Sequence, residues 1–476
     1  MPPAFFVSMA AGDTIGRFTD RAGDKMVRVS LTNIFPANVK ENLLFSMSYK
    51  SDIHYDKMKE SLDPLSVVEP LFEHQQVLPS RMFADCGAYQ YRNDPKPILP
   101  NGRESNANDA WVEYQKRHLE KEHSWDEILL CAPDHMICDI KVYSKKQKKI
   151  LLSLSPKEQK KWKKDNPPKV RKLKLGEFRS RSKFNRQQVK AFFELTKDEQ
   201  RVTPVGVIHG HCDFSKDIKT RKKNLTEMIK LGYKYVALGG MVPYSKNQKK
   251  ALKIIAGIKD IINPVIAKNS ILGQCREKGI RLHVFGLTSP DWYRWLYRLG
   301  VDSFDGSKLA TEGAVNGIFW VLNDGKGSGR TPPLKPKKVT EFYHKINVKD
   351  VNFDSWKWNP NDDGVLVPET PAHQKTTKDL LVDITCKCPA CQYLRSARCP
   401  GKICREKNKL DGSKRHVCEP LMRGSNEHNM GRAAHNAHVY GKLIERIEEL
   451  NQMADDSDLE GENEWLKHWT TIEVAQ

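Results

Sequence analysis

The chain has 476 residues and carries 79 Lys and Arg against 59 Asp and Glu, a formal net charge of +20. This length allows two or three domains, or one barrel with additions. No run of about 18 apolar residues occurs, and MPPAFFVSMAAGD lacks a basic start, which argues against a membrane-spanning or secreted protein. Six of the 11 cysteines lie between Cys386 and Cys418. The odd count and the tight spacing favour metal ligation in a reducing compartment, so we predict a cytoplasmic protein.

Short apolar runs between residues 80 and 310 end abruptly in Asp, His or Gly. They are MFAD (82–85), EILLCAPD (127–134), PVGVIHG (204–210), YVALGG (235–240), RLHVFGL (281–287) and VDSFD (301–305). Such short, barely alternating runs are typical of strands that are buried on both faces.

Stretches with helical spacing separate the later runs. They are KDIKTRKKNLTEMIKLG, SKNQKKALKIIAGIKDIIN and SPDWYRWLYRLG, in which Ser289 is a predicted N-cap and Pro290 follows at N1. Strand alternating with helix indicates parallel βαβ units, which fit both a (β/α)8 TIM-like barrel and a doubly wound sheet. We favour the barrel because many strand ends converge on one site there, and because no phosphate-loop glycine fingerprint follows the first strand.

A basic segment spans Lys141 to Lys183, with 17 Lys or Arg and three acids. It contains Trp162 and Phe178, so it combines residues for phosphate contacts with residues for base stacking. The residues predicted to bind nucleic acid are Lys160, Lys161, Lys163, Lys164, Arg171 and Lys172. A solvated basic loop or helix without a binding role is the alternative.

Three aspartates follow predicted strands. Asp85 and Asp305 are candidates for a substitution at a sugar carbon, in which one carboxylate attacks and the other handles a proton. Asp134 is a candidate acceptor for the N–H groups of a purine-like base. A single aspartate at a strand end is more often the N-cap of the next helix; the common position of all three at strand ends favours a shared site.

Five motifs in chain order resemble those of the tRNA-guanine transglycosylases. DCGAYQ (85–90) resembles the family's Asp-Ser-Gly-Gly-Phe-Gln, GVIHGH (206–211) its Gly-Ile-Val-Gln-Gly-Gly, and ALGGMV (237–242) its Gly-Gly-Leu loop. VFGLTSP (284–290) and GVDSFDG (300–306) resemble the next two motifs.

The cysteines supply a sixth resemblance. Cys386, Cys388 and Cys391 match the family's Cys-x-Cys-x-x-Cys, and His435 matches its fourth zinc ligand. Three thiolates and one imidazole form a closed site, so this Zn²⁺ would be structural. The long interval before His435 holds further ligand types: Cys399, Cys404, His416 and Cys418. These form either a second zinc site or free thiols in an insertion, so one Zn²⁺ is expected and two are the alternative.

The resemblance implies a (β/α)8 barrel with a C-terminal zinc-binding subdomain and a base exchange that needs no energy cofactor. Asp305 would attack C1′ of the nucleoside as nucleophile, guanine would leave, and a 7-deazaguanine would displace the aspartate, with Asp85 as general acid/base. The implied base-binding residues are Asp134, His209, Gly240 and Met241.

The predicted organisation has five parts. They are 1–80 with a first strand near FFVSMAAG, 81–310 as barrel core with the basic insert at about 141–183, 311–380 as linker and loops, 381–445 as zinc-binding subdomain, and 446–476 as acidic tail.

Several departures from the family bear on the substrate. His209 stands where the family usually has Gln, Cys86 replaces a Ser, and GSKLATEG follows the predicted nucleophile instead of Leu-Pro-Thr-Arg. With the basic insert, these favour the DNA-guanine transglycosylases of phages and some bacteria, which insert preQ0-type bases into DNA; a phage protein would work in the host cytoplasm. The alternatives are a tRNA enzyme, a non-catalytic nucleic-acid-binding partner subunit, and an unrelated zinc-dependent DNA-binding protein.

Overall fold

The structure is a computed structural model. It describes residues 4–8, 14–19, 26–30, 42–47, 80–98, 104–120, 125–244, 251, 254, 271–287, 289–322, 343–347, 356–358, 366–368, 432–433 and 435–445. The predicted helix SKNQKKALKIIAGIKDIIN falls almost wholly outside these residues, and the acidic tail 446–476 does so entirely.

The secondary structure alternates between strands and helices over most of the chain. The strands are β1 (Ala4–Ser8), β2 (Thr14–Thr19), β3 (Met26–Ser30), β4 (Asn42–Ser46), β5 (Arg81–Asp85), β6 (Glu127–Cys131), β7 (Ile140–Val142), β8 (Lys169–Arg171), β9 (Val202–Ile208), β10 (Tyr235–Leu238), β11 (Arg281–Val284), β12 (Ser303–Gly306), β13 (Ile318–Leu322), β14 (Tyr343–Asn347), β15 (Trp356–Trp358) and β16 (Leu366–Pro368). The helices are α1 (Ala107–Tyr114), α2 (Lys145–Ser153), α3 (Pro156–Asp165), α4 (Leu175–Thr196), α5 (Phe214–Leu231), α6 (Ile271–Glu277), α7 (Pro290–Leu299) and α8 (Lys308–Ala310). Helical turns occupy Gln115–Leu119, Val242–Tyr244 and Thr311–Val315, and a further helical segment spans 435–445.

Eight parallel strands close into a barrel in the order β1-β12-β11-β10-β9-β6-β5-β4, with β4 returning to β1. The prediction of a TIM-like α/β barrel is therefore confirmed, and all six predicted runs contribute barrel strands. The closed sheet also takes in β1 and β4, which precede the 81–310 range predicted for its core. Helix α7 begins as predicted, with Ser289 at the N-cap and a proline in the first turn.

Side chains alternate along the barrel strands between two buried layers. Phe6, Leu44 and Phe83 belong to the cluster that fills the barrel. Met82 and Ala84, the neighbours of Phe83, belong to the larger cluster between the barrel and its helices. Both faces of the sheet are thus covered, which explains why the strand sequences barely alternate.

The basic segment is an excursion between β6 and β9 that contains β7, α2, α3 and β8 before α4 begins. Strands β7 and β8 pair with each other and not with the barrel. Helices α2 and α3 begin with the capping boxes Ser144–Gln147 and Ser155–Glu158, which satisfy their first N–H groups locally. No residue of α2 is buried. The two helices are therefore stabilised by local caps more than by a core.

The helical segment 435–445 packs on the barrel. The Tyr440 ring lies 4.7 Å from that of Phe5 in β1 and 6.1 Å from that of Trp320 in β13. Asn436 accepts a hydrogen bond from Trp320 N at 2.9 Å. Within 311–380, predicted as linker and loops, the structure places two antiparallel ribbons, β13–β14 and β15–β16.

Candidate active site

One cavity of about 730 Å³ opens at the carboxyl ends of the barrel strands. Its lining includes all the residues that were predicted for catalysis and base binding: Asp85, Asp134, His209, Gly240, Met241 and Asp305. They come from positions more than 200 residues apart in the chain and meet because parallel strands end at one rim of the barrel. The structure thus brings the predicted non-metal site together.

Asp85 is the last residue of β5. Its Oδ2 accepts a hydrogen bond from Gly87 N at 3.1 Å, and the Ser46 side chain at the end of β4 hydrogen-bonds to it as well. Burial, followed by the negative charges of Asp134 and Asp305, raises the pKa of Asp85 to about 7, although both hydrogen bonds act in the opposite direction. A carboxyl group with this pKa can both hold and release a proton at neutral pH.

Asp305 lies in β12, with 8% of its surface exposed. Its Oδ1 accepts a hydrogen bond from Gly286 N at 2.8 Å, and Nε2 of His283 lies 3.5 Å from the same oxygen. Gly286 has a φ of +77°, a conformation that glycine adopts without strain, which turns its N–H toward the carboxylate. Both contacts fall on Oδ1, so the carboxylate is held by one of its two oxygens.

Asp134 forms a buried pair with His209. His209 Nε2 lies 2.5 Å from Asp134 Oδ2, and the Cys86 thiol donates to Oδ1 at 2.9 Å. Burial, and after it the charges of Asp134 and Asp85, raises the pKa of Cys86 well above its ordinary value, so the thiol keeps the proton that it donates. We assign a proton to His209 Nε2, since a lone pair there would face the Asp134 carboxylate. His209 Nδ1 is left as an acceptor without a partner in the described part of the chain.

Two glycines close the cavity beside His209. A Cβ atom on Gly239 would lie 2.6 Å from His209 Cε1, so only glycine leaves room for the ring. Gly240 has a φ of +70°, and the next residue, Met241, is fully buried. The backbone of this loop can therefore approach a flat ligand closely.

The strand ends that carry His209 and Gly239 are fixed by α5. Arg221, paired with Asp217 at 2.8 Å, donates from Nη1 to the carbonyl oxygens of Ile208 (3.1 Å) and Gly239 (2.9 Å). Asn224 donates to the carbonyl of His209 at 2.8 Å. These residues were not predicted from the sequence, because an Asp and an Arg four positions apart on a helix usually form an exposed ion pair.

Among the predicted zinc ligands, only His435 belongs to the described residues. Cys386, Cys388 and Cys391 lie outside them, as do Cys399, Cys404, His416 and Cys418 of the alternative second site. Within the described ranges, no group of three or more His, Cys, Asp or Glu is arranged to hold a metal ion. The zinc expectation therefore stays a prediction.

His435 has a geometry that a zinc ligand could use. It is buried, and its Nε2 lies 2.7 Å from the carbonyl oxygen of Trp320. Metal-binding histidines usually donate one ring N–H to such an acceptor and bind through the other nitrogen. A zinc ion here would therefore be bound through Nδ1.

The basic insert divides into structural and exposed cations. Arg171 forms two hydrogen bonds of 2.6 Å to the Glu177 carboxylate, and the buried Arg181 donates to the carbonyl of Met136 at 2.6 Å. Exposed cations remain at Lys161, Lys163, Lys164 and Lys172, whereas the Lys160 side chain lies outside the described set. Arg171 is therefore less available to an outside partner than the sequence suggested.

No protein-family model matches the chain, and no curated protein matches it either. No helix in the described ranges is long and apolar enough to cross a membrane.

Proposed function

We propose that the protein is a pentosyltransferase that exchanges guanine in a nucleic acid for a 7-deazaguanine base of the preQ0 type. The proposal is carried by one observation: Asp85, with a pKa of about 7, and Asp305, held by one oxygen, line the same cavity as the Asp134–His209 pair. A proton-handling carboxyl, an oriented carboxylate and a group that reads N–H donors are what a base exchange needs.

The reaction has two balanced halves. In the first, a carboxylate oxygen of Asp305 donates an electron pair to C1′ as the C1′–N bond breaks, and the departing base takes its electrons and a proton from Asp85. In the second, Asp85 removes the proton from the ring nitrogen of the incoming base, which attacks C1′ and restores the Asp305 carboxylate. Asp85 acts first as acid and then as base, and a pKa near neutrality suits both roles.

Base recognition falls to the residues around the Asp134–His209 pair. The Asp134 carboxylate would accept N–H groups of the purine edge, while the Gly240–Met241 backbone would contact the opposite edge. His209 would act through its Nε2–H, which orients the Asp134 carboxylate, while its Nδ1 is buried. This differs from a glutamine, whose amide offers an oxygen and an NH2 group at once.

The nucleic acid is proposed to be DNA. The exposed lysines of the insert provide charge for phosphate contacts, and a duplex substrate would need its guanine unstacked at a cost of a few kcal/mol. The segment after the proposed nucleophile, GSKLATEG, also lacks the Leu-Pro-Thr-Arg expected of a tRNA enzyme. In this proposal Cys386, Cys388, Cys391 and His435 hold one structural Zn²⁺, which would anchor the C-terminal segment.

The test is incorporation of radiolabelled guanine into DNA and tRNA offered side by side. Wild type should label DNA, and Asp305→Asn should reduce labelling by at least about a thousandfold because the amide is a poor nucleophile. Asp198→Asn, the same change at an exposed site, is the matched control. Equal labelling by Asp305→Asn would overturn the mechanism, and labelling of tRNA alone would reverse the choice of nucleic acid.

A further inference from the structure

A hydrogen-bonded chain runs inside the barrel beneath Asp305. Tyr235 OH lies 2.5 Å from Ser303 Oγ, and Ser303 Oγ lies 2.8 Å from His283 Nδ1. His283 Nε2 is then 3.5 Å from Asp305 Oδ1. The parallel register pairs His283 of β11 with Ser303 of β12, which places both side chains on the interior face that also carries Asp305 two residues on.

The donors and acceptors in this series of hydrogen bonds can be assigned in only one consistent order. If Tyr235 donates to Ser303, the serine hydroxyl can donate to His283 Nδ1, and the neutral imidazole then carries its proton on Nε2, facing Asp305. In the opposite direction, the Nε2 lone pair would point at the carboxylate, which is repulsive. Tyr235 can start the chain because a phenol needs no further partner in order to donate.

The surroundings of His283 keep it neutral and fixed. It is fully buried, with the Phe83 ring 4.4 Å and the Phe285 ring 4.6 Å away. Burial lowers its pKa below the ordinary value, although Asp305 acts in the opposite direction. Its Nε2 has no formed hydrogen bond among the described residues. Asp305 Oδ1 lies 3.5 Å away, about half an ångström longer than an ordinary hydrogen bond.

We propose that His283 is a positioning residue for the nucleophile: its Nε2–H, directed by Tyr235 and Ser303, holds Asp305 Oδ1 together with Gly286 N, so that Oδ2 attacks the sugar. This inference rests on the proposed function.

The His283 Nε2–H donor affects the rates of the two halves of the reaction differently. Negative charge on Oδ1 is greatest in the free carboxylate and falls when Oδ2 forms the ester to C1′. An N–H donor at Oδ1 therefore stabilises the carboxylate as it leaves C1′ and helps the second half. Removing the donor should make the ester persist, whereas a merely structural role would slow both halves alike.

The first arm of the test does not depend on catalysis. NMR of protein labelled with ¹⁵N in histidine should show the Nε2–H tautomer for His283, assigned by its loss in His283→Phe. Asp305→Asn should shift this signal, and Ser303→Ala should change the tautomer. An Nδ1–H tautomer, or a signal that Asp305→Asn leaves in place, would overturn the proposal.

The second arm follows the covalent adduct between protein and labelled nucleic acid after denaturation. His283→Phe should raise the fraction of trapped adduct and slow its reaction with added guanine by about tenfold, the effect of one hydrogen bond to a charged group. Ser303→Ala should act in the same direction, which keeps the test valid if His283→Phe does not fold. His118→Gln, at a buried histidine outside the cavity lining, is the matched control.

Equal slowing of both halves would overturn the role of His283. Absence of adduct and labelling in wild type would instead overturn the proposed function, while the NMR arm would still decide the hydrogen bond.

Discussion

The two ends of the barrel differ in how their charged side chains are arranged: opposite charges are paired at one end, and like charges are clustered at the other. At the amino ends of the strands, Glu127 accepts hydrogen bonds from Arg81 (2.8 Å) and Arg281, and the Arg281 guanidinium lies over the Tyr235 ring at 4.4 Å. Burial alone would raise the pKa of Glu127, but the two arginines more than reverse this and lower it. At the carboxyl ends, the cavity gathers carboxylates whose charges repel one another. One fold thus pairs charges where it needs stability and concentrates like charges where chemistry is proposed.

The contrast has a consequence for the pH dependence of stability. The pKa of Asp85 is raised from 3.8 to about 7, so between these values the folded protein binds a proton that the unfolded chain has lost. Asp85 therefore makes the protein less stable as pH rises from about 4 to about 7. The lowered pKa of Glu127 has the opposite sign, since its stabilisation is lost as pH falls through the folded pKa.

The largest expected effect is at the carboxyl end. Asp85→Asn should slow base exchange by about a hundredfold to ten-thousandfold, because the amide cannot transfer the proton. The same change should raise the free energy of unfolding at pH 8 by at most about 4 kcal/mol, because the cost of ionising a buried carboxyl disappears. Exchange assays and denaturant unfolding at pH 4 and pH 8 measure both effects.

Asp198→Asn is the control for this substitution and should change neither quantity. A stability gain at pH 8 that persists undiminished at pH 4 would contradict the assignment of the raised pKa to Asp85.

A smaller effect is expected at the amino end, where a substitution should lower stability and leave the exchange rate unchanged. Glu127→Ala should lower the free energy of unfolding by about 2 kcal/mol, because two arginines lose their partner. The base-exchange rate at saturating substrate should stay unchanged, since Glu127 does not line the cavity. Urea unfolding and the exchange assay measure this, and Glu127→Gln, which keeps a hydrogen-bond acceptor, should lose less stability. A Glu127→Ala variant with full stability but impaired exchange would contradict the assignment of stability to the amino end and chemistry to the carboxyl end.

The smallest effect is expected in the basic insert, outside both ends. Replacing Lys161, Lys163 and Lys164 by Ala should weaken DNA binding by about tenfold and reduce the slope of log K against log salt by up to about three. Fluorescence anisotropy at several salt concentrations measures the slope. Removing the same charge from α5 at exposed Lys219, Lys223 and Lys230 should leave it unchanged. Equal effects of the two triple substitutions would show that the insert has no special role.

The barrel strands could be predicted where the local sequence marks the end of the strand. Six runs finish in Asp, His or Gly, and each contributes a strand. NLLFS of β4 was not predicted, because Asn42–Ser46 is followed by no turn residue and no acid, and Ser46 was missed with it. Its place in the sheet depends on pairing with β1 and β5, which local sequence does not encode.

The candidate site could be predicted as a set of residues but not as a set of contacts. Asp85, Asp134 and Asp305 stand out together because all three share one position, the end of a buried strand. His283 lies within the apolar run RLHVFGL, and only the register of β11 against β12 shows that it faces Ser303 and Asp305. The 2.5 Å pairing of His209 with Asp134 likewise depends on where β9 ends relative to β6.

The contacts of β1 also constrain when the chain can fold during synthesis. Ala4–Ser8 pairs with β12, which leaves the ribosome about 300 residues later, and Phe5 packs on Tyr440 near the end of the chain. At about 5–20 residues per second, β1 waits roughly 15–60 s for β12, whereas β4, its other neighbour in the barrel, is made soon after it. During that interval AFFVS lacks one of its two partner strands, so a nascent chain of this protein is expected to depend on chaperones until β12 has been made.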